Sequence, residues 1–252
     1  MCPLPPTLAT KNVARVGHPR SAASGTIEAG VLSTIHGRDW EKTLALRAVV
    51  FDYGKVLTGP QDPEAHAMLM QLTGLPLDRF EEYYWADRLA YDEGSLTGLE
   101  FWRKLLRDAE LDLPAGSDHQ LNEWDARMWS TVNPEMVAWQ QRLRQHGILT
   151  GILSNMGDTV LALIEQEHAW LGGFDAKVWS YQLRMVKPDP AIYRHALGLL
   201  GTRADETLFL DDRLENIEGA QAVGMQGILF STVEKLREDL IAAGLDTELP
   251  VP

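Results

Sequence analysis

Six side chains stand out by type and by place in the chain: Asp52, Ser154, Asn155, Lys187, Asp211 and Asp212. Asp52 closes the apolar run Arg47-Ala-Val-Val-Phe-Asp52. Ser154 and Asn155 follow Ile148-Leu-Thr-Gly-Ile-Leu153. Lys187 comes in the loop after Asp175-Ala-Lys-Val-Trp-Ser180, and Asp211-Asp212 end Thr207-Leu-Phe-Leu-Asp211. Carboxylate oxygens are the ligands that a small hard cation such as Mg²⁺ takes. A cation and an ammonium together neutralise a phosphoryl group during transfer, and an aspartate carboxylate can act as the nucleophile. A serine placed where a strand gives way to a helix can hold an anion with its hydroxyl and the nearby N–H groups. Taken singly, each of these residues has an ordinary role as a helix cap, a turn former or a surface charge. Their order, each at or after the end of an apolar run, is what points to phosphoryl-transfer chemistry.

The runs themselves must be the elements that position them. Four carry the six residues, and Gln226-Gly-Ile-Leu-Phe230 is a fifth. Short apolar runs separated by helical stretches read as βα units building a parallel sheet buried on both faces. In such sheets ligands gather outside the carboxyl ends of the strands, so all six residues are expected at one edge. The helices are punctuated accordingly. Asn133-Pro134 offers a cap and a first-turn proline with Gly147 closing the helix, Asp189-Pro190 opens another, and Leu214 to Val223 stops at Gly224.

About a hundred residues separate the first run from the second, far more than a crossover needs. Residues 60–132 are therefore expected to form an insertion. It reads as helical over Glu64 to Leu72, Leu77 to Asp87, Gly98 to Ala109 and His119 to Ser130. Its Trp85, Trp102, Trp124, Trp129, Tyr83, Tyr84 and Tyr91 suit the core of a small bundle, with one or two rings available to a pocket. The same acidic, aromatic-rich stretch could serve as a homodimer surface.

Composition narrows the class. A formal net charge of −13 argues against nucleic-acid binding. No apolar stretch approaches a membrane span. Cys2 is the single cysteine, so no internal disulfide forms, and a cytoplasmic, reducing location is expected. Residues 1–45, with Pro3, Pro5 and Pro6 and no sustained apolar period, are expected to be a disordered extension, with a targeting segment or an overextended start as open alternatives. Residues 236–252 are expected to finish a last helix and a tail.

Four segments carry a family resemblance. Phe51-Asp-Tyr-Gly-Lys-Val-Leu57, Leu153-Ser-Asn155, Val186-Lys-Pro-Asp-Pro-Ala-Ile-Tyr193 and Phe209-Leu-Asp-Asp-Arg-Leu-Glu-Asn-Ile-Glu-Gly-Ala220 resemble, in order, the four motifs of the haloacid dehalogenase superfamily. The Asp-x-Gly-x-Val form of the first is similar to its subfamily I type with a helical cap. The resemblance implies an α/β, Rossmann-like three-layer core over 46–59 and 133–235 and a helical cap over 60–132. It further implies Asp52 as nucleophile, Mg²⁺ held by Asp52, the Gly54 carbonyl, Asp211 and Asp212, and substrate held by Ser154 and Asn155. Lys187 would balance charge, and Asn216 would support the metal. The substrate implied is a small phosphate ester, a sugar phosphate or another metabolite.

One departure matters. Phosphatases of this superfamily carry a second aspartate two residues after the nucleophile; here that position is Gly54. Its general acid–base contribution, about 10²–10⁴-fold, is missing or comes from elsewhere, with Asp92 and Glu93 among the acids of the insertion. Three readings follow: a phosphatase, a 2-haloacid dehalogenase, or a non-catalytic binding protein. The retained pair Asp211-Asp212 weighs against the second, because carboxylates packed beside Asp52 repel one another without a cation.

Overall fold

The computed structural model describes residues 46–252; the expectation for residues 1–45 lies outside the described residues. Five parallel strands form one sheet: β1 (Ala48–Phe51), β2 (Leu149–Ser154), β3 (Ala176–Trp179), β4 (Thr207–Asp211) and β5 (Gln226–Leu229), in the order β3-β2-β1-β4-β5. The chain is an α/β protein. β1 lies at the centre, with Phe51 level with Ile152 on one side and Leu210 on the other. That register brings Asp52, Leu153-Ser154 and Asp211 to the same end of three adjacent strands.

Both faces of the sheet are covered, which is why its strands read as unbroken apolar runs rather than alternating ones. Val49, Phe51, Leu208 and Leu210 pack with Trp139, Leu143, Ile164 and Leu240. Ala48, Val50 and Phe209 pack on the other face with Ile192, Tyr193, Ala196 and Ile217. The covering helices include α6 (Pro134–Gln145), α7 (Asp158–Glu167), α9 (Pro190–Leu200), α10 (Leu214–Ala222) and α11 (Val233–Ala242), the chain also making one short turn of helix, α8 (Ser180–Leu183). The Asn133 side chain accepts from Met136 N and that of Asp189 from Ala191 N, each before a first-turn proline. The end of the chain is not a loose tail: Leu249 is buried in the first of these cores, Pro250 O accepts from Trp139 Nε1, and Glu248 accepts from Leu46 N.

Between β1 and β2 the chain forms α1 (Pro63–Thr73), α2 (Leu77–Ala86), α3 (Arg88–Glu93), α4 (Gly98–Asp108) and α5 (Ser117–Met128). Caps fix their starts: Asp62 accepts from Ala65 N before Pro63, and Thr97 with Glu100 makes a reciprocal capping box. α3 is an element that periodicity alone misses, because six residues are too few to show a helical period. These helices have their own core of Leu69, Phe80, Tyr84, Tyr91, Phe101, Trp102 and Leu121. Tyr84, Tyr91 and Trp102 thus turn fully inward, Tyr83, Trp124 and Trp129 are half-buried against this core, and Trp85 is exposed, an arrangement that lends no support to a dimer surface. The inserted chain leaves and returns through a narrow neck: Thr58 bridges Val132, Gly59 N donates to Thr131 O, and Asn133 N to Leu57 O. No described helix is long and apolar enough to cross a membrane.

Candidate active site

β1 delivers Asp52, whose carboxylate accepts from Tyr53 N at 2.7 Å as the chain enters a tight turn over Tyr53–Leu57. In that turn Lys55 takes a left-handed conformation (φ 57°), its N–H donating to Thr58 Oγ1. β2 delivers Ser154 and Asn155. The Asn155 amide is spent on the backbone of Lys187, accepting from Lys187 N at 2.8 Å and donating to Lys187 O at 3.1 Å. That clamp sets the direction of the lysine. Lys187 Nζ then lies 2.9 Å from Asp52 Oδ1 and 2.6 Å from Asp211 Oδ2, its side chain 1% exposed.

Asp211 and Asp212, though adjacent, have different surroundings. Asp211 is fully buried and its oxygens are saturated: Oδ1 by Arg213 N and Asn216 Nδ2, Oδ2 by Lys187 and Asn216. Asp212 is more open and is paired with Lys55 Nζ at 3.3 Å. Asp52, Asp211 and Asp212 each offer an oxygen within 4.8 Å of the others. Burial pushes the Asp52 carboxyl up to about 7, and the Asp211 charge adds to this, against the lowering by Lys187 and by a hydrogen bond with Ser154. Lys187 is held above its usual value, Asp211 and Asp52 outweighing the opposing effect of burial. Three carboxylates against two ammonium groups, Lys187 between Asp52 and Asp211 and the more exposed Lys55 on Asp212, leave a surplus of negative charge. An all-oxygen donor set of that charge fits a hard divalent cation such as Mg²⁺.

A cavity of about 370 Å³ opens above this cluster. Asp52, Ser154, Asn155, Lys187 and Asp212 line it from the sheet edge, with Gly54 and Asn216 beside them. The structure thus brings the sequence-derived residues to one place, with Asp211 just behind the wall. From the inserted helices come Trp85, Arg88, Asp92 and Trp129. Of these, Arg88 is the one that the sequence did not single out. It is buried, paired with Asp92 (Nε to Oδ1, 3.0 Å) and Asp125 (3.3 Å), donates to the Tyr84 hydroxyl, and stacks over Tyr84, Tyr91 and Trp129. The signal that could have found it is the run of rings spaced around it on α2 and α3.

This geometry defines a hydrolase site of the α/β class, and the sequence comparisons agree. The family described as haloacid dehalogenase-like hydrolase matches residues 46–224. The chain belongs to this family. It is 28% identical over 204 residues to a phosphatase of Mycobacterium tuberculosis, covering 79% of this chain and 93% of that protein. It is 26% identical over 204 residues to (S)-2-haloacid dehalogenase 1 of a Pseudomonas strain, covering 77% and 88%. Among solved structures, a haloacid dehalogenase family enzyme of Bacteroides thetaiotaomicron in a magnesium complex superposes with a TM-score of 0.63 at 21% identity, over 74% of this chain and 94% of that one.

Proposed function

We propose that this hydrolase is a Mg²⁺-dependent phosphatase acting on a small phosphate monoester through a phospho-Asp52 intermediate. The observation that carries the reading is the Asp52, Asp211 and Asp212 cluster, with Lys187 bridging Asp52 and Asp211, beside a cavity. Asp52, Asp212 and the Gly54 carbonyl would hold the cation, with Asp211 behind them. When bound, it would neutralise phosphoryl oxygens and the surplus carboxylate charge.

Asp52 attacks phosphorus with the carboxylate that Tyr53 N and Lys187 orient. Lys187 balances the charge of nucleophile and phosphoryl group. Ser154 donates its hydroxyl to a phosphoryl oxygen. Asn155 lines the substrate space while fixing the Lys187 loop, and Asn216 holds Asp211 in place. Residues 60–132 act as a cap on the core of residues 46–59 and 133–235, their Trp85, Arg88 and Trp129 surrounding the leaving group and excluding water. A sugar phosphate or similar metabolite is the substrate class.

The dehalogenase reading has one observation in its favour, the lack of a carboxyl at Gly54, together with the likeness to the Pseudomonas enzyme. The Asp211-Asp212 pair favours the phosphatase, since a metal-free haloacid site gains nothing from two further carboxylates beside its nucleophile. Phosphate release from p-nitrophenyl phosphate and a panel of sugar phosphates, with Mg²⁺ and with EDTA, tests the proposal. Turnover that requires both the metal and Asp52, and vanishes in Asp52→Asn, is expected. Metal-independent chloride release from 2-haloacids without any ester hydrolysis would replace it with the dehalogenase reading.

A further inference from the structure

A phosphatase without a side chain at Gly54 must find its proton donor elsewhere, and the cavity restricts where. A Cβ at Gly54 would meet the Trp129 ring at 3.9 Å, an ordinary contact, so Trp129 stands next to the place of the absent carboxyl. Among the described residues lining the cavity, one carboxyl lies outside the Asp52 and Asp212 pair: Asp92 at the end of α3.

Asp92 is held in place at several points. Its Oδ1 accepts from Arg88 Nε at 3.0 Å, and its backbone carbonyl accepts from Ser180 Oγ at 2.5 Å. Ser180 in turn accepts from Met156 N, just beyond β2. Gly94, two residues on, packs so closely on Tyr181 that a Cβ would come within 2.5 Å of its carbonyl oxygen. The carboxyl is thus anchored both to the inserted helices and to the sheet edge. Its Oδ2 has no hydrogen-bond partner among the described residues, yet it is not among the sealed, unpartnered polar atoms. Asp92 itself is one of the residues lining the cavity.

Arg88 is one cation shared between two carboxylates, Asp92 on its own helix and Asp125 on α5. Burial pushes the Asp92 carboxyl above its usual range, Arg88 opposes this, Asp125 adds to it, and Lys187 across the cavity lowers it weakly. A protonated carboxyl that accepts through one oxygen from Arg88 and donates through the other is oriented for proton transfer.

Building on the phosphatase reading, we infer that Asp92 is the catalytic acid–base of this enzyme, supplied by the inserted helices in place of the carboxyl absent at Gly54, with Arg88 as its positioning residue. In the first half-reaction the Asp52 carboxylate forms a bond to phosphorus while the bond from phosphorus to the ester oxygen breaks. The Asp92 proton goes to that oxygen, releasing the alcohol. In the second, Asp92 takes a proton from water as it attacks the phospho-Asp52 phosphorus. The Asp52–phosphorus bond breaks, giving inorganic phosphate, free Asp52 and protonated Asp92.

A leaving-group series tests this. kcat/KM, which reports the steps up to ester cleavage, is measured with Mg²⁺ for p-nitrophenyl, phenyl and p-methoxyphenyl phosphates on wild type and Asp92→Asn. Help from an acid matters most for the poorest leaving group. Asp92→Asn is expected to lose about 10²-fold or more on the phenyl and p-methoxyphenyl esters but only about threefold or less on the p-nitrophenyl ester. An equal loss on all three, or none, overturns the assignment. Should Asp92→Asn fail to fold, the wild-type pH profile decides. A high-pH fall in kcat/KM present for phenyl phosphate and absent for p-nitrophenyl phosphate supports it, and the same fall for both overturns it. No turnover of any ester by folded wild type sinks the phosphatase reading itself and this inference with it, an outcome distinct from a flat leaving-group response.

Discussion

Replacing Lys187 with methionine keeps most of the side-chain volume and removes the one ammonium that Asp52 and Asp211 share at 2.9 and 2.6 Å. The two carboxylates are left with oxygens within 4.8 Å of each other. At an effective dielectric of about 20, two unit charges at that separation repel by about 3.5 kcal/mol. This agrees with the roughly 3–5 kcal/mol that breaking a buried ion pair costs when one partner is removed. For a protein of this size each kcal/mol lowers Tm by roughly 2–4 °C, so Lys187→Met should melt about 6–20 °C lower in metal-free buffer. Thermal unfolding by circular dichroism with EDTA and then with excess Mg²⁺ is the assay. The cation should restore more of the lost stability in Lys187→Met than it adds to wild type, because it meets a site with one positive charge fewer. Adding Asp211→Asn to the variant should recover part of the loss even without metal. A metal-free Tm within about 2 °C of wild type would show that the three groups are not coupled as their distances imply.

Three further outcomes follow from the same geometry. The Asp52 carboxyl is raised by burial to about 7, so the folded protein binds that proton more tightly than the unfolded chain. This contribution favours folding most at low pH, and metal-free stability should fall as pH rises from about 4 through about 7; urea unfolding at pH 5 and pH 8 with EDTA reads it, and Asp52→Asn should flatten the difference. Asn155→Ala frees both backbone groups of Lys187 and should lower kcat about 10²-fold through misplacement of the ammonium, with steady-state kinetics showing a much smaller change in KM. Gly157→Ala sets a Cβ 2.1 Å from the Tyr91 ring, which is buried and stacked on Phe101, whereas a Cβ at Gly54 meets Trp129 at an ordinary 3.9 Å. Denaturant titration should therefore give a loss of about 1–3 kcal/mol for Gly157→Ala and about 0.5 kcal/mol or less for Gly54→Ala.

The sheet was legible because a strand buried on both faces writes itself as an apolar run, and because three of the five runs are closed by Asp52, Ser154 and Asp211. Asp52, Ser154, Lys187 and Asp211 share an edge for that reason. The strands are shorter than the runs by a residue or so: Arg47 and Asp175 stand just before β1 and β3, with backbone hydrogen bonds of their own to Glu206, Leu149 and Thr150. What the pattern could not show lies in contacts between distant segments. Arg88 and Asp125 are 37 positions apart and meet only when α3 and α5 pack. The use of Asn155 on the Lys187 backbone depends on a loop conformation that no local spacing encodes. The buried Leu249 opens a stretch of only four apolar residues, Leu249-Pro-Val-Pro252, too short for a period to reveal it.

The central place of β1 has a consequence for synthesis. Its two neighbours in the sheet begin pairing at Leu149 and Thr207, so Ala48 waits for Leu149, about a hundred residues downstream, before its first partner exists. At a ribosomal rate of about 5–20 residues per second, that is roughly 5–20 seconds during which Ala-Val-Val-Phe trails from the exit tunnel unpaired. Such a segment is sticky, and the charged residues at its two ends, Arg47 and Asp52, act as gatekeepers against premature association between nascent chains. Asp52 therefore has a duty earlier than any in the folded site: before the sheet forms, its charge helps keep the strand that carries it soluble.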